Sequence, residues 1–374
     1  MRVLIVNAGS SSLKLCLLGD GDEPLAAREL AAPRALIDQA QLRATLDDGL
    51  GDADVVGHRI VHGGERFREA VCIDEDVEAA LRQLADLAPL HQAKSLAALD
   101  AVSAALPDLP AVACFDTAFH ATLPPAAATY ALPAAWRERF GIRRYGFHGL
   151  SHAWVARRAP ALLSRPPAGL RVVSCHLGAG ASLCAIADGR SIDTTMGFTP
   201  LEGIVMATRS GSVDPGLLLW LLERCAMSER ELADALEHES GLLGLAGTAD
   251  MREVLARAGG DDDVAQLALD VYVHRLRAGI AAMAAALGSV DALVFTGGVG
   301  ERSAAVRELA VDGLQFMGLA IDTQRNSAAA GDADVSRSGA PAKTLVVAAR
   351  EDLEIARQVR AVLGAGSVEI EAGD

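Results

Sequence analysis

Two stretches of the chain follow one plan. An apolar run leads into a loop of glycine and other small residues, then a second apolar run, then an acidic-glycine turn. The first stretch is residues 3–6, then Asn7-Ala8-Gly9-Ser10-Ser11-Ser12, then residues 13–18 and Gly19-Asp20. The second lies about half a chain later. It runs from residues 170–175 through His176-Leu177-Gly178-Ala179-Gly180-Ala181-Ser182 to residues 183–187, with the turn Asp188-Gly189-Arg190 and a third strand over 191–195. Such a repeat predicts a duplicated α/β fold in which each half offers one hairpin loop. Glycines between two strands let the backbone approach a ligand and turn its N–H groups toward an anion. A nucleotide phosphate is one occupant of such a loop; a plain hairpin with a glycine turn is the other reading. Two such loops in separate halves suit a protein that closes on ATP.

The length of 374 residues allows two domains with sizeable cores, and a hydrophobic content of 51% argues against disorder. A net charge of −15 argues against a nucleic-acid surface. The lysines are Lys14, Lys94 and Lys343. Lys14 sits beside the first loop, where it either reaches a phosphate or is solvated at a strand start. Cys16, Cys72, Cys114, Cys175, Cys184 and Cys225 form no CxxC pair and read as small hydrophobes in a reducing compartment. The first residues go straight into a strand without a signal peptide, and the longest apolar tract, around 279–287, is too short for a membrane span. A cytoplasmic protein is expected.

Along the chain, residues 55–61 read as a strand carrying His58-Arg59-Ile60-Val61 and leading to His62-Gly63-Gly64-Glu65. Helical spacing covers 75–87 and 94–106. Residues 111–115 form a strand with Asp116 at its end. In open α/β sheets, residues just past strand C-termini line the ligand crevice, so Asp116 is a Mg²⁺ ligand or a helix or turn cap. His148 stands between Gly146-Phe147 and Gly149, before a helix expected near Ser151, where the helix N-terminus favours an anion. Arg209 is surrounded by small residues and either points into a cleft or lies in a surface turn. A helix is expected from Pro215 to residue 222, another over 228–237, broken by Gly241-Leu242-Leu243-Gly244, and a third from Asp250. The long helix over 262–287 is expected to bury Leu267, Val271, Val273 and Leu276. Residues 292–295 form a strand followed by Thr296-Gly297-Gly298-Val299-Gly300-Glu301-Arg302, a turn suited to an adenosine or its α-phosphate. Glu351-Asp352 opens the last helix, for dipole reasons or to hold Mg²⁺.

Taken together, these residues resemble the motifs of the acetate kinase family. The segments are Asn7 to Ser12, His62-Gly63-Gly64-Glu65, Phe115-Asp116-Thr117-Ala118-Phe119-His120, Tyr145-Gly146-Phe147-His148-Gly149, Met196-Gly197-Phe198-Thr199-Pro200-Leu201-Glu202-Gly203 and Phe295 to Glu301. They occur in the family's order over nearly the full length. The resemblance implies the duplicated ribonuclease-H-like fold of actin, Hsp70 chaperones and sugar kinases, two domains around a cleft. Their expected bounds are residues 1–119 plus 350–374 for the N-terminal domain and 120–349 for the nucleotide-binding one. It also implies a homodimer that makes acetyl phosphate and ADP from acetate and ATP, reversibly, with Mg²⁺ (Mn²⁺ as an alternative) and without nucleic-acid or membrane partners.

The resemblance further assigns roles. Asn7 would position the phosphoryl group, with Ser10, Ser12 and Lys14 near it. Arg59 and Arg209 would flank the transferring phosphoryl and bind the carboxylate, and His148 would hydrogen-bond phosphoryl oxygens. Asp116 and Glu351, with Asn7, would hold Mg²⁺. His176, Leu177, Gly178, Ala179 and Gly180 would contact the ATP phosphates. Asp250, Met251, Arg252 and the loop Gly297, Gly298, Val299, Gly300 and Glu301 would surround the adenosine. Val61, Leu90, Phe147 and Pro200 would form the methyl pocket.

Three segments depart from the family pattern. Ala179 stands where an Asn is usual, Gln92-Ala93 replaces Asn-Pro after Pro89-Leu90-His91, and Arg302 replaces an Asn after Gly-Glu. The alternatives are a propionate or butyrate kinase, a sugar-kinase-like enzyme using Asp116 as base, and a nucleotide-binding protein without turnover, for which Ala179 is the motive. One methylene in a pocket is worth only about 1–3 kcal/mol, so near relatives of the acid can share a site.

Overall fold

A computed structural model describes residues 1–9, 12–32, 37–84 and 89–371, with the side chains of 89–91 and 365–371 left outside it. The chain divides into two compact units. The first takes Met1–Ala121, Gly149–Trp154 and Arg350–Asp374, and the second Thr122–His148 and Val155–Ala349.

The first unit holds strands β1 (Val3–Ala8), β2 (Ser12–Leu18), β3 (Pro24–Ala31), β4 (Val55–Ile60), β5 (Val71–Cys72) and β6 (Ala111–Phe115) in the order β3-β2-β1-β4-β6-β5. β1, β2 and β3 form an antiparallel meander, and β1, β4 and β6 run parallel. Successive side chains of a strand point to opposite faces. Leu4 and Val6 therefore join one core with Leu13, Leu15, Leu42 and Leu46, while Val3 and Ile5 join another with Val55, Ile355 and Val359. The last helix, Glu351–Glu371, packs closely on the second face: a Cβ on Gly57 would lie 2.7 Å from Ile355 Cγ2.

The second unit repeats the topology. β7 (Arg171–Leu177), β8 (Ala181–Ala187), β9 (Arg190–Thr194), β10 (Ala292–Thr296), β11 (Ala333–Asp334) and β12 (Lys343–Val346) lie in the order β11-β12-β10-β7-β8-β9. Again three strands form an antiparallel meander, and β7, β10 and β12 run parallel. The β9-β8-β7-β10-β12 run matches β3-β2-β1-β4-β6, so the ribonuclease-H-like sheet occurs twice. The helix Asp263–Leu287 lies on β8, where Gly279 leaves room for Leu183.

Three details differ from expectation. The helix Pro89–Ala105 starts five residues before the expected Lys94, because proline is well suited to the first helical turn. Gly241, at φ +64°, does interrupt the chain, but Gly241–Ala246 then forms its own short helix. Leu267 is 61% exposed and Val271 half-buried, while Val273 and Leu276 are buried as expected, in a stripe with Ala268, Leu269 and Tyr272. All six cysteines are free, and burial pushes the Cys184 thiol up to about 12. Among the described residues no helix is long and apolar enough to cross a membrane.

Candidate active site

In the first unit the polar side chains gather at the C-terminal ends of the parallel strands. Asn7 and Arg59 are the next-to-last residues of β1 and β4, and Asp116 follows β6. Arg59 reaches Asp116 with Nε 3.0 Å from Oδ1 and Nη2 2.6 Å from Oδ2, and its Nη1 donates to Asn7 Oδ1 at 3.0 Å. Asn7 Nδ2 in turn donates to Glu351 Oε2 at 3.3 Å. Burial disfavours the charged Arg59 guanidinium, yet Asp116 and Glu351 hold it above its ordinary value. Burial also raises the Asp116 carboxyl; Arg59 pulls it back and Glu351 adds to the rise. Because both oxygens accept guanidinium N–H groups, the ionised pair is the form this geometry holds. Gly149 N–H donates to the Asp116 carbonyl at 2.8 Å, fixing the chain just past β6.

Lys14 stands directly opposite Asn7 across the β1–β2 ladder and is exposed. Ser12 Oγ donates to Glu29 Oε1 at 2.6 Å. Ser10 lies outside the described residues, as does the side chain of Leu90. Val61 is buried. Gln92 is buried, accepting from His62 N at 3.2 Å and donating to His62 O at 3.3 Å.

In the second unit the loop between β7 and β8 is closed by Gly178 N–H donating to Gly180 O at 3.0 Å. Two cation-forming side chains converge over it. A Cβ on Gly180 would lie 3.1 Å from Arg209 Nη2 and 3.2 Å from His148 Nε2, so only glycine leaves their shared space open. His148 adopts φ +55°, a left-handed backbone unusual for a residue with a side chain, immediately before the helix Gly149–Leu163. Its ring stacks on His176 at 4.4 Å, and its Nδ1 lies 2.9 Å from Ser182 Oγ. Arg209 donates from Nη1 to Pro200 O at 2.8 Å and forms no ion pair among the described residues. Burial lowers its guanidinium pKa, with Glu237 opposing. Phe147 and Pro200 are buried.

Beside the loop lies a cavity of about 770 Å³. Of the expected nucleotide residues it brings together Gly178, Ala179, Asp250, Met251, Arg252, Gly298 and Val299. Its lining does not include His176, Leu177, Gly180, Gly297, Gly300 or Glu301. Gly297 is at φ +78° with Leu177 O 2.8 Å from its would-be Cβ, so it shapes the turn after β10 next to β7. Glu301 accepts from Ala349 N at 3.0 Å. Asp250 caps the helix Met251–Ala258 and pairs with Arg252, which holds its carboxyl down to about 2.

Several residues of this site were not singled out from the sequence. Leu242, Leu255 and Tyr272 line the cavity from elements whose packing no motif announces. Arg302, noted as a departure, lines it too. Arg307 is buried and donates to Gly300 O at 2.9 Å, Glu301 O at 2.8 Å and Asn326 O at 2.8 Å, bracing the turn after β10.

Among the described residues no cluster of three or more His, Cys, Asp and Glu is suited to a metal. Asp116, Glu351 and the Asn7 amide nevertheless fit Mg²⁺, which binds through one or two carboxylates, waters and substrate phosphates. Glu351 is bonded to Asn7, and Asn7 and Asp116 share the Arg59 guanidinium, so the three sources of oxygen donors are neighbours.

A twice-repeated ribonuclease-H-like sheet, a glycine loop under an arginine and histidines, and an adjoining nucleotide-sized cavity define a phosphotransferase class. A family model described as the acetokinase family matches residues 31–357, and the chain belongs to that family. It is 44% identical to an acetate kinase from Nostoc punctiforme, over 97% of this chain and 100% of that one, and 40% identical to one from Shouchella clausii, over 95% and 98%. The crystal structure of Porphyromonas gingivalis acetate kinase superposes with a TM-score of 0.88 at 34% identity, over 97% of this chain and 99% of that one. A propionate kinase from Francisella tularensis superposes equally well, with a TM-score of 0.88 at 34% identity over 96% and 98%.

Proposed function

We propose that the protein is an acetate kinase, transferring the γ-phosphoryl group of ATP directly to acetate and reversing the transfer from acetyl phosphate and ADP. The observation that carries this reading is Arg209: a half-buried guanidinium with no ion pair among the described residues, held beside His148 over the glycine loop. A desolvated cation of this kind is positioned for an anion that arrives with the substrate.

A carboxylate is ionised at pH 7 and is already a nucleophile, so no general base is required. A carboxylate oxygen forms the new bond to phosphorus as the bond to the ADP oxygen breaks, and the released electron pair stays on ADP. Charge spreads over three equatorial oxygens in a loose transition state. Arg59, Arg209 and His148 neutralise and align that charge, and Asn7 and Lys14 add donors. Gly178 to Gly180, with His176 and Leu177, take the phosphates; Asp250, Met251 and Arg252 and the turn Gly297 to Glu301 take the adenosine. Asp116, Glu351 and Asn7 would hold Mg²⁺, which would supply further charge neutralisation on the phosphates. Val61, Leu90, Phe147 and Pro200 receive the methyl group.

We also read the protein as a cytoplasmic homodimer. The helix Pro215–Arg224 carries Leu217, Leu219 and Trp220 at 46%, 59% and 53% exposure and buries no residue, the composition of a face covered by a partner. Six free cysteines suit a reducing compartment. Sedimentation of a Trp220→Glu variant as a monomer would support the dimer, and an unchanged sedimentation coefficient would refute this face.

The functional test is acyl phosphate formation from ATP and Mg²⁺, trapped with hydroxylamine, with acetate, propionate and butyrate in parallel. Acetate preference is expected. Propionate preference would keep the mechanism and change the acid, and a chelator should abolish turnover with all three.

A further inference from the structure

Residues 195–202 precede the turn that carries Arg209, and the polypeptide there is pinned at five points. Arg144 Nη1 donates to Thr195 O at 3.2 Å and Met196 O at 3.0 Å. Gly197 O accepts from the backbone N–H groups of Tyr145 at 3.1 Å and Gly146 at 3.2 Å, just ahead of His148. Phe198 N–H donates to Tyr130 Oη at 2.9 Å. The Tyr130 hydroxyl donates to Glu202 Oε2, and Arg144 Nη2 donates to Glu202 Oε1 at 2.8 Å. The Arg144 guanidinium also lies 5.4 Å from the centre of the Tyr130 ring. A side chain at Gly197 would collide with both Glu202 and Tyr130, so the segment has no room to shift toward them. The output of this arrangement is one atom: Pro200 O, the acceptor for Arg209 Nη1 at 2.8 Å.

We infer that Tyr130, Arg144 and Glu202 form a positioning network that aims Arg209 through the Pro200 carbonyl, and that they tune phosphoryl transfer without touching either substrate. Arg209 has no carboxylate to orient it, so a backbone carbonyl must do so, and that carbonyl is only as fixed as the loop that bears it. Burial, with the Glu202 hydrogen bond, pushes the Tyr130 phenol up, so it remains a donor throughout the neutral range. The carboxylate of Glu202 is the hub, accepting from both partners on opposite oxygens. The proposal rests on the phosphotransfer reading above for its kinetic consequence, but not for its geometry.

The test is a double-mutant cycle: Tyr130→Phe and Glu202→Gln, each alone and combined with Arg209→Lys. Small misplacements of a catalytic group cost up to about 100-fold, so each single variant should lower kcat by about 10- to 100-fold. ATP affinity by calorimetry should be unchanged, because the nucleotide cavity is built elsewhere in the unit. In the Arg209→Lys background the further loss should vanish, since both changes act on one function. Fully additive losses would overturn the proposal and leave only a structural role. Tyr130→Phe removes a single hydroxyl and serves if Glu202→Gln does not fold.

A second readout needs no turnover. The ¹⁵N–¹H resonance of the Arg209 guanidinium, assigned by its absence in Arg209→Lys, should be sharp in the wild-type protein and broadened in Tyr130→Phe. An unaltered resonance would refute the positioning role. A broadened resonance in a protein that makes no acyl phosphate would uphold the network and reject the kinase reading.

Discussion

Arg59 grips Asp116 side-on, with Nε 3.0 Å from one carboxylate oxygen and Nη2 2.6 Å from the other. Arg59 lies on β4 and Asp116 just past the end of its parallel neighbour β6, and the Asp116 side chain is 2% exposed. Removing one member of a buried pair strands the other's charge, at about 3–5 kcal/mol. Asp116→Ala should lose stability on that scale in urea unfolding, along with activity. Arg59→Lys should recover little of either, because an ammonium cannot make the side-on fork.

Arg209 should behave in the opposite way. It is half-buried and forms no ion pair among the described residues, and its partial desolvation outweighs the charge of Glu237, so its cation costs folding energy that the function requires. Arg209→Met should unfold at the same urea concentration as the wild type or a higher one. A fall in midpoint comparable to that of Asp116→Ala would show that Arg209 has a structural partner.

His58 gives a pH dependence with a definite sign. It is fully buried in β4, its Nε2 has no hydrogen-bond partner, and burial lowers its pKa from 6.5 to about 4. Between those values the unfolded chain binds a proton that the folded protein does not. Stability therefore falls as pH falls from 6.5 toward 4, by about 3 kcal/mol in all. In His58→Leu the slope of unfolding free energy against pH should flatten over that window; an unchanged slope would assign it to other groups.

Arg307 links stability to nucleotide binding. Its three carbonyl contacts hold Gly300, Glu301 and Asn326. Arg307→Met leaves buried carbonyls unpaired, at about 1–3 kcal/mol. ATP affinity by calorimetry should weaken while the acid dependence of the remaining activity is unchanged.

The sequence made the two glycine loops and their flanking strands plain, because burial on both faces leaves apolar runs such as Val3 to Val6 that are hard to read otherwise. It made β3 obscure: its burial pattern is nearly all exposed, and Leu25 is 50% exposed. The two-residue strands β5 and β11 carry no periodicity to detect. Leu267 fitted a helical spacing equally well on either side of the stripe, and alanines fill the buried side. Among the expected site residues, Asp116 and His148 were legible within family-like motifs, and Arg59 and Arg209 as arginines at a strand end and among small residues. Their partners were not, because the Arg59–Asp116 pair depends on β4 lying against β6, and the Tyr130–Glu202 bond joins residues 72 positions apart. Pairing across such distances is set by packing, which one sequence does not display.

The most direct test of the account is the rate of phosphoryl transfer in Arg209→Ala, measured in a single turnover with ATP bound. Loss of one charge-stabilising donor typically costs about 100- to 1,000-fold. The account predicts a loss on that scale, with ATP affinity by calorimetry near that of the wild type. Transfer at the wild-type rate, or a loss explained wholly by failure to bind ATP, would contradict it.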